Sequence, residues 1–588
     1  MSVGAGGTPA PMDRQAQVLL GLAAVAVAFA AADTYVVVLA LPEMMTSAGI
    51  PLDQLQRAAP IVSGFLLGYV AMLPLIGRIA DLRGRVPVLV MALVLFAVGS
   101  AVTALAYDLP SMVAGRFLQG VGGGGLVPAT LALVADLYPA ERRGVPLGIV
   151  SAVQEIGSVI GPLFGAVILA VADWRVIFAI NLAVGLVLAA SIRGLAGATP
   201  LRRRPDLVGL LLLLVAGAAT ALTMLQPDDL KQDLTLGSMF VPYAGDGRWI
   251  TPVGLVAVVT WLLLLARCLL AARPLVDLRR WWGSLQEADL LGAGLLAVSL
   301  SGVILAFATA DPRIEVFSDR GLGYLAGSAI AAVAFALHLR RSAAPLVPRG
   351  ALAQQPAWGS LLVSFFIGAA LIAALIDIPI FARTTIYPDS QLSAALVLLR
   401  FLVALPVGAV VGGYLTRSLP AGAITAAGML FAAIGFVLMS RWGLTSLEAP
   451  SASVALVLGG FGFGLALAPV NAAALSTTAS SVHGLTTAFV VVARMVGMLV
   501  GISALTTIGL SRYYSEQAGL PNVRDVCEGT SRCTEFTTML KVAGIAQEQT
   551  VFLGAACCAV AAGILALVLF RDAPTRGLDT RELWRAGG

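Results

Sequence analysis

Apolar residues run in long stretches along the whole chain, broken by short polar loops. At roughly 20 apolar residues per bilayer-crossing helix, the pattern predicts about sixteen spans. Six cover 17–41, 59–80, 86–106, 111–136, 145–171 and 175–192. Four follow at 206–225, 250–271, 289–309 and 321–339. The last six are 356–381, 392–416, 420–440, 452–475, 484–511 and 549–570. Only helices and closed barrels satisfy the backbone in lipid, and the short alternating pattern of barrel strands is absent. An all-α polytopic membrane protein is therefore expected.

Composition agrees. Of 588 residues, 59% are hydrophobic and 12% charged, too few charges to cover a soluble surface of that size. With the N-terminus inside, inner loops hold Arg78, Arg83, Arg85, Arg142, Arg143, Arg202, Arg203, Arg204, Arg279, Arg280, Arg340 and Arg341. The outer loops hold Asp108, Asp228, Asp229, Asp233, Asp311, Glu315 and Asp319. This positive-inside bias predicts a multi-pass inner-membrane protein with both termini cytoplasmic. The net charge of +5 then reflects topology and not a nucleic-acid partner.

Charges inside the spans are the candidate chemistry. Asp33 lies in the first span, where a carboxylate costs about 2.5–3.5 kcal/mol. Glu155 is a second intramembrane acid, and Arg494 in span fifteen needs an anionic partner. Asp33 and Glu155 are the available acids, and an Asp33–Arg494 pair is expected in at least one state of the protein. Arg116 reads either as a buried cation or as a side chain snorkelling to water near Asp108. Asp377 is either a third coupling acid or a residue at the outer end of its span. Arg400 either lines a cavity or caps a water site. His483 reads as a solvated loop histidine.

The remaining motifs are structural or negative. Gly77, Asp81, Arg83, Gly84 and Arg85 form a tight basic turn between spans two and three. Gly157, Gly161, Pro162 and Gly165 give span five a face for close packing and a missing backbone hydrogen bond. Cys268, Cys557 and Cys558 read as core residues. Cys527 and Cys533 are the cysteines of a polar outer segment, where a disulfide would persist. DLVG at Asp206 and DLLG at Asp289 open two similar helix pairs, which exit through ARPLVDLRR and AAPLVPRG. Internal duplication and chance both account for so short a match. These four helices carry no intramembrane acid and are expected to be peripheral. No phosphate-binding glycine loop and no His/Cys cluster occurs, so an enzyme, a cofactor and a bound metal are not expected.

GRIADLRGR (Gly77 to Arg85) resembles the Gly-x-x-x-Asp-x-x-Gly-Arg signature of the major facilitator superfamily. Arg116 to Gly120 resembles its Arg-x-x-Gln-Gly motif, implicated in proton coupling. QEIGSVIGPLFGAV (Gln154 to Val167) resembles the motif of drug:proton antiporters. ADTYVVVLALP (Ala32 to Pro42) is similar to their first helix, with Tyr35 where Thr is usual and Val38 where Asn is usual, so the cavity wall is more apolar. With IPLDQL (Ile50 to Leu55) and VVVARMVGMLVG (Val490 to Gly501), the chain resembles the mycobacterial triacylglyceride and drug exporters. That resemblance implies two six-helix halves at 17–193 and 353–571, joined by a linker at 194–352. The linker holds about four inserted helices on the ~20-residue criterion, where the family has two, so 14 spans is the alternative total. Tails at 1–16 and 572–588 and an outer extension at 511–548 complete the layout. It further implies a proton-driven monomeric exporter of lipid or hydrophobic drugs, with the proton gradient as energy source and a periplasmic lipoprotein partner. General multidrug efflux is the alternative, and a non-transporting scaffold or receptor the second.

Overall fold

The computed structural model describes residues 14–50, 55–139, 142–195, 206–233, 235–308, 321–388, 390–527 and 533–575. The arginines at 202–204, the acids at 311–319 and both chain ends lie outside this set. Described regular structure is helical. Six helices come first: α1 (Arg14–Ser47), α2 (Leu55–Arg83), α3 (Arg85–Leu105), α4 (Leu109–Leu137), α5 (Gly144–Leu169) and α6 (Arg175–Leu195). The linker holds α7 (Leu207–Leu225), the short α8 (Asp228–Lys231), α9 (Pro252–Leu270), α10 (Leu278–Glu287), α11 (Leu290–Ala308) and α12 (Gly321–Arg341). Then come α13 (Gln355–Thr385), α14 (Gln391–Leu415), α15 (Ala421–Met439), α16 (Pro450–Ser476), α17 (His483–Ala518), the short α18 (Val523–Val526) and α19 (Thr534–Leu569).

Fourteen described helices are long and apolar enough to cross a membrane, and the bent pair α10–α11, with its 73° break, makes a fifteenth. α5 is not in that count; several of its side chains lie outside the described set. Asp108 is an N-cap and not simply a loop acid. Its carboxylate accepts the Ser111 N–H at 2.9 Å, with Pro110 in the first turn of α4.

Packing within the first six helices repeats in the last set. α5 packs on α1, α4 on α2 and α3, and α6 on α3. In the same way α17 packs on α13, α16 on α14 and α15, and α19 on α15. The two bundles meet along two matching seams, α2 with α17 and α5 with α14. Both seams close through glycines at the end that carries the basic loops. A Cβ on Gly77 would lie 2.5 Å from the Gly484 carbonyl oxygen, and one on Gly413 2.5 Å from that of Gly144.

The linker pairs share a capping scheme. Asp206 accepts from the Gly209 N–H and from Arg267 at 2.9 and 2.6 Å, and also from the Leu275 N–H. Asp289 bonds the Gly292 N–H, His338 Nε2 and the Leu346 N–H at 3.0, 2.7 and 2.9 Å. Each acid therefore ties its own helix start to the partner helix and to the exit segment, as a duplicated unit would. The Arg267 bond holds the Asp206 carboxyl below the usual carboxylate range. The α7–α9 pair touches α3 only lightly, so it is peripheral. The α11–α12 pair is not: α11 lies against both α2 and α17.

The polar segment at 511–548 is mostly helix and not loop. α17 and α19 each run 36 residues, about 54 Å at 1.5 Å per residue against a core of ~30 Å. Polar residues ride on their outer turns, as in the Arg512–Glu516 pair at 2.6 Å, one turn apart. A hydropathy pattern ends a span where the lipid ends, and so misses helix that continues into water. Cys527 and Cys533 form a disulfide across the tip. His483 is buried, with Nε2 3.1 Å from the Thr478 carbonyl, because it opens α17 inside the α2 seam. Cys268 is buried, but Cys557 is on the outer face of α19.

The glycine seams yield a test. Gly77→Val should force α2 from α17, so spin labels at Leu82→Cys and Ser481→Cys should move apart by several ångströms. Distances unchanged from the parent would show that the seam does not depend on the missing Cβ.

Candidate functional site

Asp33 sits on α1 where α4 and α6 cross it. Its carboxylate accepts from Arg116 at 2.7 Å and from the Asn181 amide. Arg116 also donates to Gln119 at 2.6 Å, and Gln119 donates to the Ser100 hydroxyl at 3.0 Å. Both charged side chains are fully enclosed, with exposures of 0 and 1%. The guanidinium lies over the Phe65 ring, 4.4 Å from its centroid. Arg116 is therefore the buried cation and not a snorkelling side chain.

The expected Asp33–Arg494 pair is not formed in the state seen here. Arg116 and Asn181 occupy both Asp33 oxygens, within the first bundle alone. α5 helps to seal this acid. A Cβ on Gly157 or Gly161 would fall 2.1 or 2.4 Å from the carbonyl oxygens of Ala28 or Ala32 on α1. Gly165 is buried on the same helix. The side chains of Tyr35, Val38 and Pro162 lie outside the described set.

Arg494 instead shares a central pocket with Glu155. α4 and α5 supply one wall, and α13, α16 and α17 the other, so both bundles contribute. Ser151, Gln154, Glu155, Ser364, Asn471 and Arg494 are its polar residues. Aliphatic side chains such as Val127, Leu131, Ile367 and Leu467 make up the rest of the lining. Glu155 is buried and Arg494 half-buried, and among the described residues they form no ion pair with each other or with other groups. Each charge acts on the other across the pocket. Asn471 donates to the Leu467 carbonyl at 3.0 Å and leaves its own Oδ1 without a partner in the described structure.

The basic turn closes the arginine-rich end of this pocket. Asp81 accepts the N–H groups of Gly484 and Leu485 at 2.8 and 3.0 Å, capping α17 from the other bundle. Arg85 binds Asp81, lies 3.2 Å from Asp136 and donates to the Ser480 carbonyl at 3.0 Å. Gly84 takes φ +90, the left-handed region that lets α3 start at once. Arg83 stacks 4.4 Å over the Trp281 ring of α10.

Two cavity candidates, Arg400 and Asp377, lie away from the central pocket. Arg400 is exposed and donates to Ser453 at 2.9 Å, because it faces out from α14 toward the start of α16. Asp377 is buried but does not line the central pocket; its neighbour is Glu548 of α19. Asn181 escaped the sequence reading. It is a polar side chain in the apolar run FAINLAVG, the same signal that marked Asp33. Glu548 falls at the end of the polar stretch 511–548, where its sequence neighbours give it the look of a surface charge.

The enclosed pair yields a second test. Arg116→Met should strand Asp33 at a cost of about 3–5 kcal/mol, whereas Asp33→Leu/Arg116→Met should recover most of that loss. Thermal unfolding in detergent reads the difference. A double variant no more stable than Arg116→Met would show that the loss does not come from a stranded charge.

Comparison with known proteins follows this geometry. The family model described as Major Facilitator Superfamily matches residues 23–502. The triacylglyceride transporter of Mycobacterium tuberculosis is 34% identical over 519 residues, covering 86% of this chain and 85% of that protein. The triacylglyceride transporter of Mycolicibacterium smegmatis is 31% identical over 570 residues, covering 94% and 87%. The human organic anion transporter MFSD10 matches in structure with a TM-score of 0.52 at 14% identity, over 94% of this chain and 99% of that one. The proton:xylose symporter XylE matches with a TM-score of 0.50 at 15% identity, over 98% and 100%. At such identities these two likenesses bear on the fold alone. On the family match and its relatives, the chain belongs to the major facilitator superfamily of membrane transporters.

Proposed function

We propose that the chain is a proton-driven exporter of a neutral lipid of the triacylglyceride type, working by alternating access at the pocket between the bundles. The observation that carries this reading is Glu155 facing Arg494 in a pocket walled by both bundles, polar groups set among aliphatic ones, with no ion pair joining them among the described residues. Protonated, Glu155 leaves Arg494 as the only charge of the two; ionised, it is drawn to the arginine and pulls the walls together. A proton can thus decide whether the pocket is open to a lipid. The relatives named as triacylglyceride transporters favour the same substrate. Arg494 also disfavours a cationic drug, which sets this reading above general multidrug efflux. A scaffold or receptor would have no use for charges held in lipid at such cost.

In this reading the basic end faces the cytoplasm, and Asp81 with Arg85 forms the cytoplasmic gate. Asp33 and Arg116 hold α1, α4 and α6 as one body. The outer ends of α17 and α19, clasped by Cys527–Cys533, guide lipid release on the far side, where a periplasmic lipoprotein would receive it. The unit is a monomer with termini in the cytoplasm.

Proteoliposomes with an imposed pH gradient test the reading. Labelled triacylglyceride should move in a gradient-dependent way, while a cationic dye should not. Glu155→Gln should reduce that dependence at least tenfold, about 1.4 kcal/mol of coupling. Dye movement without lipid movement would replace the lipid reading with drug efflux.

The clasp has its own test. Opening so short a loop should cost ~2–3 kcal/mol of local order. Cys527→Ser should therefore slow lipid release while leaving the Glu155-dependent response to the gradient in place. If a membrane-impermeant maleimide labels both cysteines on intact cells without reductant, the clasp is not formed there.

A further inference from the structure

A second pair of buried acids lies outside the central pocket. Asp377 of α13 and Glu548 of α19 have exposures of 4 and 2%. Their helices pack directly on each other, and the two carboxyl groups are neighbours there, placed to share a hydrogen bond. A bond between two carboxyl groups exists only when one of them carries a hydrogen. Two adjacent carboxylates in an apolar setting cannot both ionise cheaply, so such a pair titrates as a unit. Glu548 also keeps Oε2 buried with no partner in the described structure. That buried free acceptor, beside a second buried carboxyl and with no cation paired to either among the described residues, suits a shared proton and not a finished ion pair.

The surroundings keep water away. Ile378 and Phe381 follow Asp377 on α13, and Ile545, Val551 and Phe552 flank Glu548 on α19; all belong to one apolar cluster. Phe381, Trp442 and Phe552 stack around the site with ring centroids 5.3–6.4 Å apart.

Nearby cations do not answer the pair. The packed helices α15 and α16 carry no charged side chain. On α17, Arg512 is bound to Glu516, and Arg494 lines the central pocket. On α14, Arg400 is held by Ser453. Arg383 of α13, Lys541 and Glu535 of α19, Arg524 and Asp525 of α18, and Arg441 and Glu448 after α15 form no ion pair with Asp377 or Glu548 among the described residues.

We propose that Asp377 and Glu548 form a second proton-binding site, a carboxyl pair that shares one proton and joins α13 to α19 at the root of the outer extension. With the proton in place the two helices are bonded. Without it, two like charges press them apart just below the turns that lead to the Cys527–Cys533 clasp. The site would make the outer helices sensitive to proton supply independently of Glu155.

Purified protein tests this without transport, so failure here leaves the reading of Glu155 standing, and the reverse. In the Glu155→Gln background, infrared spectra at neutral pH should show the carbonyl stretch of a protonated, water-shielded carboxyl. The band should fade on an alkaline step. Adding Asp377→Asn and Glu548→Gln should abolish it and reduce proton uptake by one proton per molecule. These isosteres preserve the packing, and the band in the parent needs no variant at all. Absence of the band in that parent overturns the proposal, as does equal uptake with and without the pair. Loss of the band on adding sodium or calcium at fixed pH would also overturn it, because the pair would then be a metal-cation site.

Discussion

A charge inside a bilayer has to be answered by the protein, and much of this structure follows from how that is done. Asp33 is answered completely: Arg116 takes one oxygen, Asn181 the other, and Gln119 and Ser100 hold the arginine in turn. Four helices, α1, α3, α4 and α6, are thereby fixed to one another inside a single bundle. Glu155 and Arg494 are answered only across a gap, from opposite bundles. The first arrangement makes a rigid body and the second makes a contact that can be made or broken. Transport needs both kinds, and the sequence places them one helix apart in packing, since α5 lies directly on α1.

The close approach of the bundles at the basic end depends on backbone meeting backbone. Glycine meets glycine at both seams, so the bundles approach to a distance that any Cβ would prevent. The seams differ in what surrounds the contact. Beside Gly484, Asp81 caps α17 and recruits Arg85. Beside Gly144, the matching position is Thr416, whose hydroxyl bonds only its own helix at Gly413. One seam is held by charge and the other by shape.

The helical class, the run of spans and the charged residues were legible in the sequence, because hydropathy and the cost of burial leave plain marks. The basic turn and the α5 glycines were legible through their spacing. Partners were not. Nothing in the chain order says that Asp33 meets Arg116 before Arg494, since both arginines lie on apolar helices and only packing decides which is within reach. Helix continuing into water was hidden for a different reason: outside lipid, the polar outer turns of α17 and α19 look like loop. Asn181 and Glu548 were visible as residues but not as participants, because one is uncharged and the other stood among surface charges.

The second linker pair lies across only one of the two seams. α11 bridges α2 and α17, and Arg83 is stacked on Trp281 beside it, while α5 and α14 have no such cover among the described contacts. Two leaves bound along one edge do not slide apart; they swing. If the bundles part, the inserted helices would serve as the spine of a book, and the α5–α14 edge would be the one left free to open. On the proposed function, that edge would be a side door to the surrounding lipid for long acyl chains, and the insert would set which side it is on.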